Sequence, residues 1–361
     1  FGSILPALCT FRSAFDYDAV DCEGKRIEVP EKVKEMESVS EMCKVLDMYY
    51  YGKALNEGRG TKHGGFYFDF HRFSDEEIDR MFDAVMDHFE GFYPHGYYHA
   101  ESIVEYRDYI KEHRRVEVGF GGEYSVGGIY INDSMETTLP GLYAAGEVGC
   151  GTFGANRVAD AVTEMIAQGY KAGEVAAKRV KDEMSLSADR DSVAKAVGAL
   201  EQILSNENGI TIKQAKKQLQ SISDRTLKLL RNEKTLSCGV ADYEKLGDAL
   251  VNITIASKGL TYNRELLEAL QLGNLLTCSR ISAKMALERT ESRGVHLRED
   301  YPMIDNENWQ VRLTACLQNG VDVLNCEKPV VTKIPLRKPE KIDYSTFVMT
   351  EDLGMKNMEE T

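Results

Sequence analysis

The sequence predicts an α+β fold that gives way to an all-α helical bundle, and three observations carry that reading. The first third alternates apolar and polar stretches and holds aromatic runs with strand character, set between helical segments. Glycine crowds residues 119–157, with ten glycines at 119, 121, 122, 127, 128, 141, 146, 149, 151 and 154. From about 186 to 290 the pattern is helical, with few glycines and no proline.

Taken in order, residues 1–40 read as strands and loops, with a turn at Asp21-Cys22-Glu23-Gly24-Lys25. Residues 41–57 read as a helix that Gly58 ends. The aromatic run Phe66-Tyr67-Phe68-Asp69-Phe70 reads as a strand. Ser74-Asp75-Glu76-Glu77 has the form of a capping box, in which the serine oxygen and Glu77 each satisfy a first-turn N–H. Behind it Ile78, Met81, Phe82, Val85, Met86 and Phe89 fall on one helical face, which marks them as core. Residues 101–113 form a weaker amphipathic helix. In the glycine-rich stretch the short apolar runs Ile129-Tyr130-Ile131 and Leu142-Tyr143-Ala144-Ala145 precede an alanine-rich helix from about Asn156 to Lys181. Strand, glycine and helix in that order let a backbone approach a ligand; the alternative is a set of tight turns. Lys213 to Leu236 and Asn263 to Arg289 are the longest helical patterns, and Leu266, Leu267, Leu270, Leu275 and Leu276 suggest a bundle helix. Residues 186–335 are expected to fold independently.

Composition narrows the function. The 361 residues are 43% hydrophobic and 28% charged, the balance of a globular protein. The formal charge of −14 works against binding to a phosphate backbone, so no nucleic-acid partner is expected. No apolar run is long enough for a transmembrane segment. The chain opens on Phe1 with neither an initiator Met nor a basic and apolar leader, which suggests a processed or truncated product. The eight cysteines are scattered without a CxxC pair, as expected of free thiols in a reducing compartment. No metal site is expected: His95 and His99, four residues apart, form the one spaced pair and sit in an aromatic loop.

Five blocks then occur in a fixed order. They are Glu57-Gly58-Arg59-Gly60, Gly127-Gly128-Ile129, Gly141-Leu142-Tyr143-Ala144-Ala145-Gly146-Glu147, Gly154-Ala155-Asn156-Arg157, and the stretch from Glu288 to Pro302 that contains Glu291-Ser292-Arg293-Gly294-Val295-His296. Together they resemble the flavoprotein subunits of the succinate dehydrogenase, fumarate reductase and L-aspartate oxidase family, over about 245 residues. The resemblance implies part of a capping domain at 1–115 and the returning C-terminal segment of a Rossmann-like FAD-binding domain at 116–182. It further implies a helical C-terminal domain at 183–335 and an extended tail at 336–361. The family's opening GxGxxG unit has no counterpart, since Gly119-Phe120-Gly121-Gly122 lacks its spacing. One implied partner is therefore the N-terminal half of the flavoprotein; others are an iron–sulfur electron-transfer subunit and a small carboxylate substrate. The implied location is cytoplasmic, or peripheral at the inner face of the membrane.

The implied cofactor is FAD, and the implied activity is hydride transfer between flavin N5 and a carbon–carbon bond next to a carboxylate. Glu147 matches a position that holds the cofactor's sugar-like chain, although an acid there also suits a helix N-terminus. Gly127 and Gly128 match the backbone beside the isoalloxazine ring, or form a simple β-bulge. Ala161 and Val162 match the helix start whose N–H groups meet the pyrimidine carbonyl. Arg157 matches an arginine that grips a substrate carboxylate, or makes a salt bridge to the capping domain. Two catalytic positions depart from the family: Glu123 stands where a substrate-binding histidine is found, and Tyr49 takes the place of the proton-donating arginine. These departures point away from fumarate and succinate as substrates. Arg59 reads as a structural residue of the cap, and Arg289, Glu291, Arg293, His296 and Arg298 read as an interdomain ion network. Two further readings stand beside this one: an electron-relay or assembly subunit without substrate turnover, and an inactive fragment lacking FAD.

Overall fold

The structure, a computed structural model, describes residues 17–29, 45–92, 100–120, 127–149, 161–182, 188–331, 335–336 and 338–343. The chain divides into two compact units, one of residues 1–125 with 345–361 and the other of residues 126–344.

In the first unit, β1 (Asp18–Val20), β2 (Phe66–Asp69) and β3 (Arg115–Val118) form an antiparallel sheet in the order β1-β2-β3. Strand alternation sends Phe66 and Phe68 to the same face as their partners Val118 and Val116, and all four are buried. Helix α1 (Val45–Asn56) precedes β2, while α2 (Asp75–Phe92) and α3 (Ala100–His113) lie between β2 and β3. The expected capping box at α2 is present: Ser74 N–H donates to Glu77 Oε2 at 2.8 Å, and Glu77 N–H to Ser74 Oγ at 3.2 Å. Ile78 and Phe82 from α2 and Ile110 from α3 complete the core. The side chains of Val85, Met86 and Phe89 lie outside the described residues.

The second unit holds α4 (Ala161–Asp182), α5 (Arg190–Ser205), α6 (Ile212–Thr226), α7 (Glu233–Leu250) and α8 (Arg264–Glu288). Its core is built from Leu219 and Ile222 of α6, Tyr243 and Leu246 of α7, and Leu266, Leu272 and Leu276 of α8. The predicted leucine face of α8 splits, because Leu267 and Leu275 are exposed while Leu266 and Leu276 are buried. The helix pattern read from Lys213 to Leu236 is two helices. Chain reversal at 227–232 separates α6 from α7, and Asn232 caps α7 by accepting from Thr235 N–H at 3.0 Å. The pattern runs on because leucines at 227, 229 and 230 mimic a helical face across the turn.

This unit is not all-α. Two-residue strands form the parallel pairs β4 (Ile210–Thr211) with β6 (Ile253–Thr254) and β5 (Leu230–Arg231) with β7 (Leu297–Arg298). Strand β8 (Met303–Asp305) pairs with β11 (Lys341–Asp343), which lies in the C-terminal tail. Strands β9 (Arg312–Gln318) and β10 (Val321–Glu327) form an antiparallel ribbon turned at Asn319 and Gly320, both with positive φ. The buried side chain of Asp322 fastens the ribbon to α8 through Arg280 at 2.7 Å and Lys284 at 3.2 Å.

Candidate functional site

The glycine-rich stretch of the second unit is built backbone on backbone. Ile129 N–H donates to Val148 O at 2.8 Å, which lays residues 127–131 parallel to 148–149. A Cβ on Gly128 would sit 2.4 Å from Val148 O, so only glycine fits. Gly127 differs: its φ of +141° disfavours other residues, yet a Cβ there would meet no described atom within 4 Å. One glycine admits the neighbouring strand and the other faces no described atom. Between the two arms, residues 132–144 fold back on themselves, with Ala144 N–H donating to Met135 O at 3.0 Å. Asn132 Oδ1 turns the chain by accepting from Ser134 N–H at 2.9 Å and Glu136 N–H at 3.1 Å.

The second arm ends in a 3-10 turn, Gly146–Val148, that carries half-buried Glu147. Helix α4 holds this turn in place. Gln168, buried on α4, accepts from Gly146 N–H at 2.7 Å and donates to buried Glu164 at 2.9 Å. At the far end of α4, Arg179 pairs with Glu136. The Glu164–Gln168 pair escaped the sequence reading. Its signal was an acid and an amide four apart on a helix, an arrangement that also serves an exposed face.

The segment brings Gly127, Gly128, Glu147, Ala161 and Val162 into one unit, with Ala161 and Val162 the first two described residues of α4. Tyr49 belongs to the other unit, half-buried on α1 with its ring edge-on to Tyr50 at 5.4 Å. Glu123 and Arg157 lie outside the described residues.

Arg59 is occupied within its own unit. Its Nε donates to buried Asp21 at 2.8 Å and its NH2 to Arg26 O at 3.1 Å. Burial pushes the Asp21 carboxyl up, but Arg59 and the N–H groups of Lys25 and Glu23 outweigh it and hold the acid below its ordinary range.

The five residues from 289 to 298 form a network internal to the second unit. Glu291 is 0% exposed. It takes Arg289 and Arg293 on its two oxygens and also accepts from Asp305 N–H at 2.9 Å. Arg298 grips Asp300 at 2.8 and 2.9 Å. Every described partner of these groups belongs to residues 126–344, so among the described residues the pairing lies within the second unit. Burial, the nearby Arg231 cation and other arginines push the His296 imidazole down to about 3, against the pull of the Arg289 carbonyl.

Among the described residues no group of three or more His, Cys, Asp or Glu side chains is arranged to hold a metal ion. No described helix is long and apolar enough to cross a membrane.

Comparison with known proteins adds to this geometry. Residues 32–160 match a family model described as "FAD binding domain", and residues 216–344 match one described as "Fumarate reductase flavoprotein C-term". A fumarate reductase (CoM/CoB) subunit of Methanothermobacter marburgensis is 30% identical over 252 residues, covering 69% of this chain and 42% of that protein. The fumarate reductase flavoprotein subunit of Haemophilus influenzae is 27% identical, covering 66% of this chain and 40% of that one. Among solved structures, Mycobacterium smegmatis Sdh1 in complex with UQ1 matches with a TM-score of 0.71 and 24% identity, over 90% of this chain and 52% of that one. FrdA of the E. coli quinol fumarate reductase matches with a TM-score of 0.69 and 19% identity, over 92% and 57%. These two show the fold.

The two matched family models define a flavoprotein. More narrowly, the chain belongs to the fumarate reductase and succinate dehydrogenase flavoprotein family, whose cofactor is FAD. It spans less than half the length of the two curated relatives. The residues present fit a flavin: a side chain at Gly127 would meet no described atom within 4 Å, and Ile129 and Val148 of the same paired edge expose apolar surface.

Proposed function

We propose that this chain is the C-terminal part of an FAD-dependent flavoprotein subunit acting on a carbon–carbon bond of a carboxylic acid other than fumarate or succinate. The observation that carries the reading is the paired edge at 127–128 and 148–149, where a side chain at Gly127 would meet no described atom. When bound, FAD supplies the hydride chemistry. This chain's residues supply binding and orientation. Gly127 and Gly128 border the ring, Glu147 accepts hydrogen bonds from the cofactor's hydroxyls, and the N–H groups at Ala161 and Val162 favour negative charge. Gln168 fixes the Gly146 amide and with it the turn that carries Glu147. Arg157 binds a substrate carboxylate by its planar fork. Tyr49 handles a proton, and Glu123 disfavours a second carboxylate while accepting a neutral or amino group.

The domain partition at 115, 182 and 335 accompanies this reading. So do an N-terminal half that completes the FAD site, an iron–sulfur partner and a location in the cytoplasm or at the inner face of a membrane. Support comes from the family and from the likeness to subunits of quinone-linked complexes. Electron relay without substrate turnover is the second reading, favoured by the two departures at Glu123 and Tyr49.

The test assays the full-length flavin-loaded protein with fumarate and a reduced dye, then with monocarboxylic enoates. Slow fumarate turnover and faster reduction of a monocarboxylate, abolished by Arg157→Ala, is the expected result. Fumarate turnover at the rate of ordinary family members overturns the substrate assignment. No turnover with any acid, in a protein whose flavin is reducible, selects electron relay.

A further inference from the structure

We propose that Arg231 is the receptor of a carboxylate-binding site in the helical unit. The parallel pair β5–β7 sets Arg231 directly opposite Arg298. The two arginines are served very differently. Arg298 is fully buried, grips Asp300 with two nitrogens and gives its third to the carbonyls of Ala286 and Leu287 at 2.7 and 3.1 Å. Arg289 and Arg293 share Glu291. Among the described residues Arg231 has no carboxylate: its NH1 reaches His296 Nδ1 at 3.3 Å, and its Nε is buried without a hydrogen-bond partner.

His296 does not neutralise Arg231. Its Nε2 lies 3.1 Å from Arg289 O, so that nitrogen carries the ring proton and donates. Nδ1 is left as the acceptor for Arg231, and the ring is neutral. Glu299 is engaged elsewhere, accepting from Asn232 Nδ2 at 3.2 Å and facing Lys228. Among the described residues four arginines, at 231, 289, 293 and 298, thus meet two carboxylates, Glu291 and Asp300, leaving a surplus of two positive charges in a chain whose net charge is −14. Burial and the neighbouring Arg298 lower the Arg231 guanidinium to about 10, the response of a cation without its counter-ion.

The unpartnered edge also sets the ligand's shape. With NH1 occupied, the Nε side of the guanidinium offers the two-point fork that fits a planar carboxylate. Arg231 as a residue is partly open to solvent, unlike Arg298, while its Nε is buried, so a ligand approaches along the exposed part of the side chain and buries its carboxylate against Nε. The carboxylate comes either from a free small acid or from an acidic side chain of a partner protein.

The test uses the full chain and follows thermal unfolding together with the ¹⁵N resonance of Arg231 Nε. Sodium acetate and a short poly-aspartate peptide are titrated against sodium chloride at matched ionic strength. A saturable rise in Tm and a shifted Nε resonance with either carboxylate, absent with chloride, is expected. A response to the peptide at least about tenfold tighter than to acetate assigns the site to a protein partner, and a comparable response assigns it to a free acid. Arg231→Lys keeps the charge but loses the fork, and weakens the response by about tenfold or more. Arg231→Gln abolishes the response, yet in chloride it unfolds no earlier than the parent because an uncompensated cation is gone. Identical curves in carboxylate and chloride, or a full response in Arg231→Lys, overturn the proposal.

Discussion

The ion network around Glu291 and the glycine-rich segment at 127–149 belong to the same compact unit, yet they close in opposite ways. Around Glu291 nearly every polar group finds its partner within some twenty residues of sequence. Along the glycine segment the backbone is paired, but several apolar side chains are not covered. Leu142 and Val148 are exposed, and α4 carries Val162, Ile166 and Tyr170 at 65%, 68% and 75% exposure. Spacings of four place those three on one stripe of the helix, the pattern of a face made to be buried. The acids of the first region are satisfied from within it, and Arg231 beside it is the guanidinium with no carboxylate among the described residues. The second region is built like one layer of a larger domain, which agrees with a chain spanning less than half of its curated relatives.

The largest test of the contrast is Glu291→Ala. Removing a fully buried acid strands Arg289 and Arg293, and a loss of about 3–5 kcal/mol in urea unfolding of the full chain is expected. A loss under about 1 kcal/mol would mean that the network is not self-contained.

Acid should strike the same region. His296 titrates at about 3 in the folded state, below the ordinary value near 6.5. Its stabilising contribution is complete above about pH 6.5 and is lost as pH falls toward 3, because the unfolded chain takes up the proton first. At pH 5 the loss amounts to about 2 kcal/mol. Denaturant melts from pH 8 to 4 check this, and His296→Gln should flatten the profile between pH 6.5 and 5.

Gln168→Ala probes the other side. It removes the acceptor of Gly146 N–H and the donor to Glu164, for about 1–2 kcal/mol. Amide exchange at Gly146 should quicken while the helical core exchanges unchanged; parallel quickening of both would contradict the contrast. The smallest structural effect is a null on flavin content. Expressed alone, this chain should hold less than stoichiometric FAD, because its sequence carries no phosphate-binding glycine turn. Flavin absorbance after gentle purification decides, and a one-to-one content would refute it.

Local chemistry was the most legible part of the sequence. The capping box at Ser74 and Glu77 and the limits of α8 follow from interactions three or four residues apart. The reversal between α6 and α7 was hidden because its leucines keep a helical spacing through the turn. The parallel pairing of β5 with β7 joins residues 67 positions apart only through strands too short to show a period. That pairing positions Arg231, which therefore went unnoticed beside the conspicuous run from Arg289 to Arg298. Arginine-rich motifs announce themselves in a sequence, whereas a missing counter-ion is visible only in three dimensions. At the glycine segment the residue types were readable, but the supporting contact from Gln168 spans 22 residues and carries no motif.

The crossing of α6 and α7 leaves almost no clearance. A Cβ on Gly239 would fall 2.1 Å from Thr226 Oγ1 and 2.2 Å from its Cγ2. Thr226 closes α6 immediately before the reversal that leads into β5, and Gly239 lies on the helix that follows β5. A single added methyl therefore acts as a wedge: the two rods part at the place where the strand between them is anchored. Substitution at this glycine should register on the arginine pair across β5 and β7, transmitting a steric change into an electrostatic one without touching a charged residue.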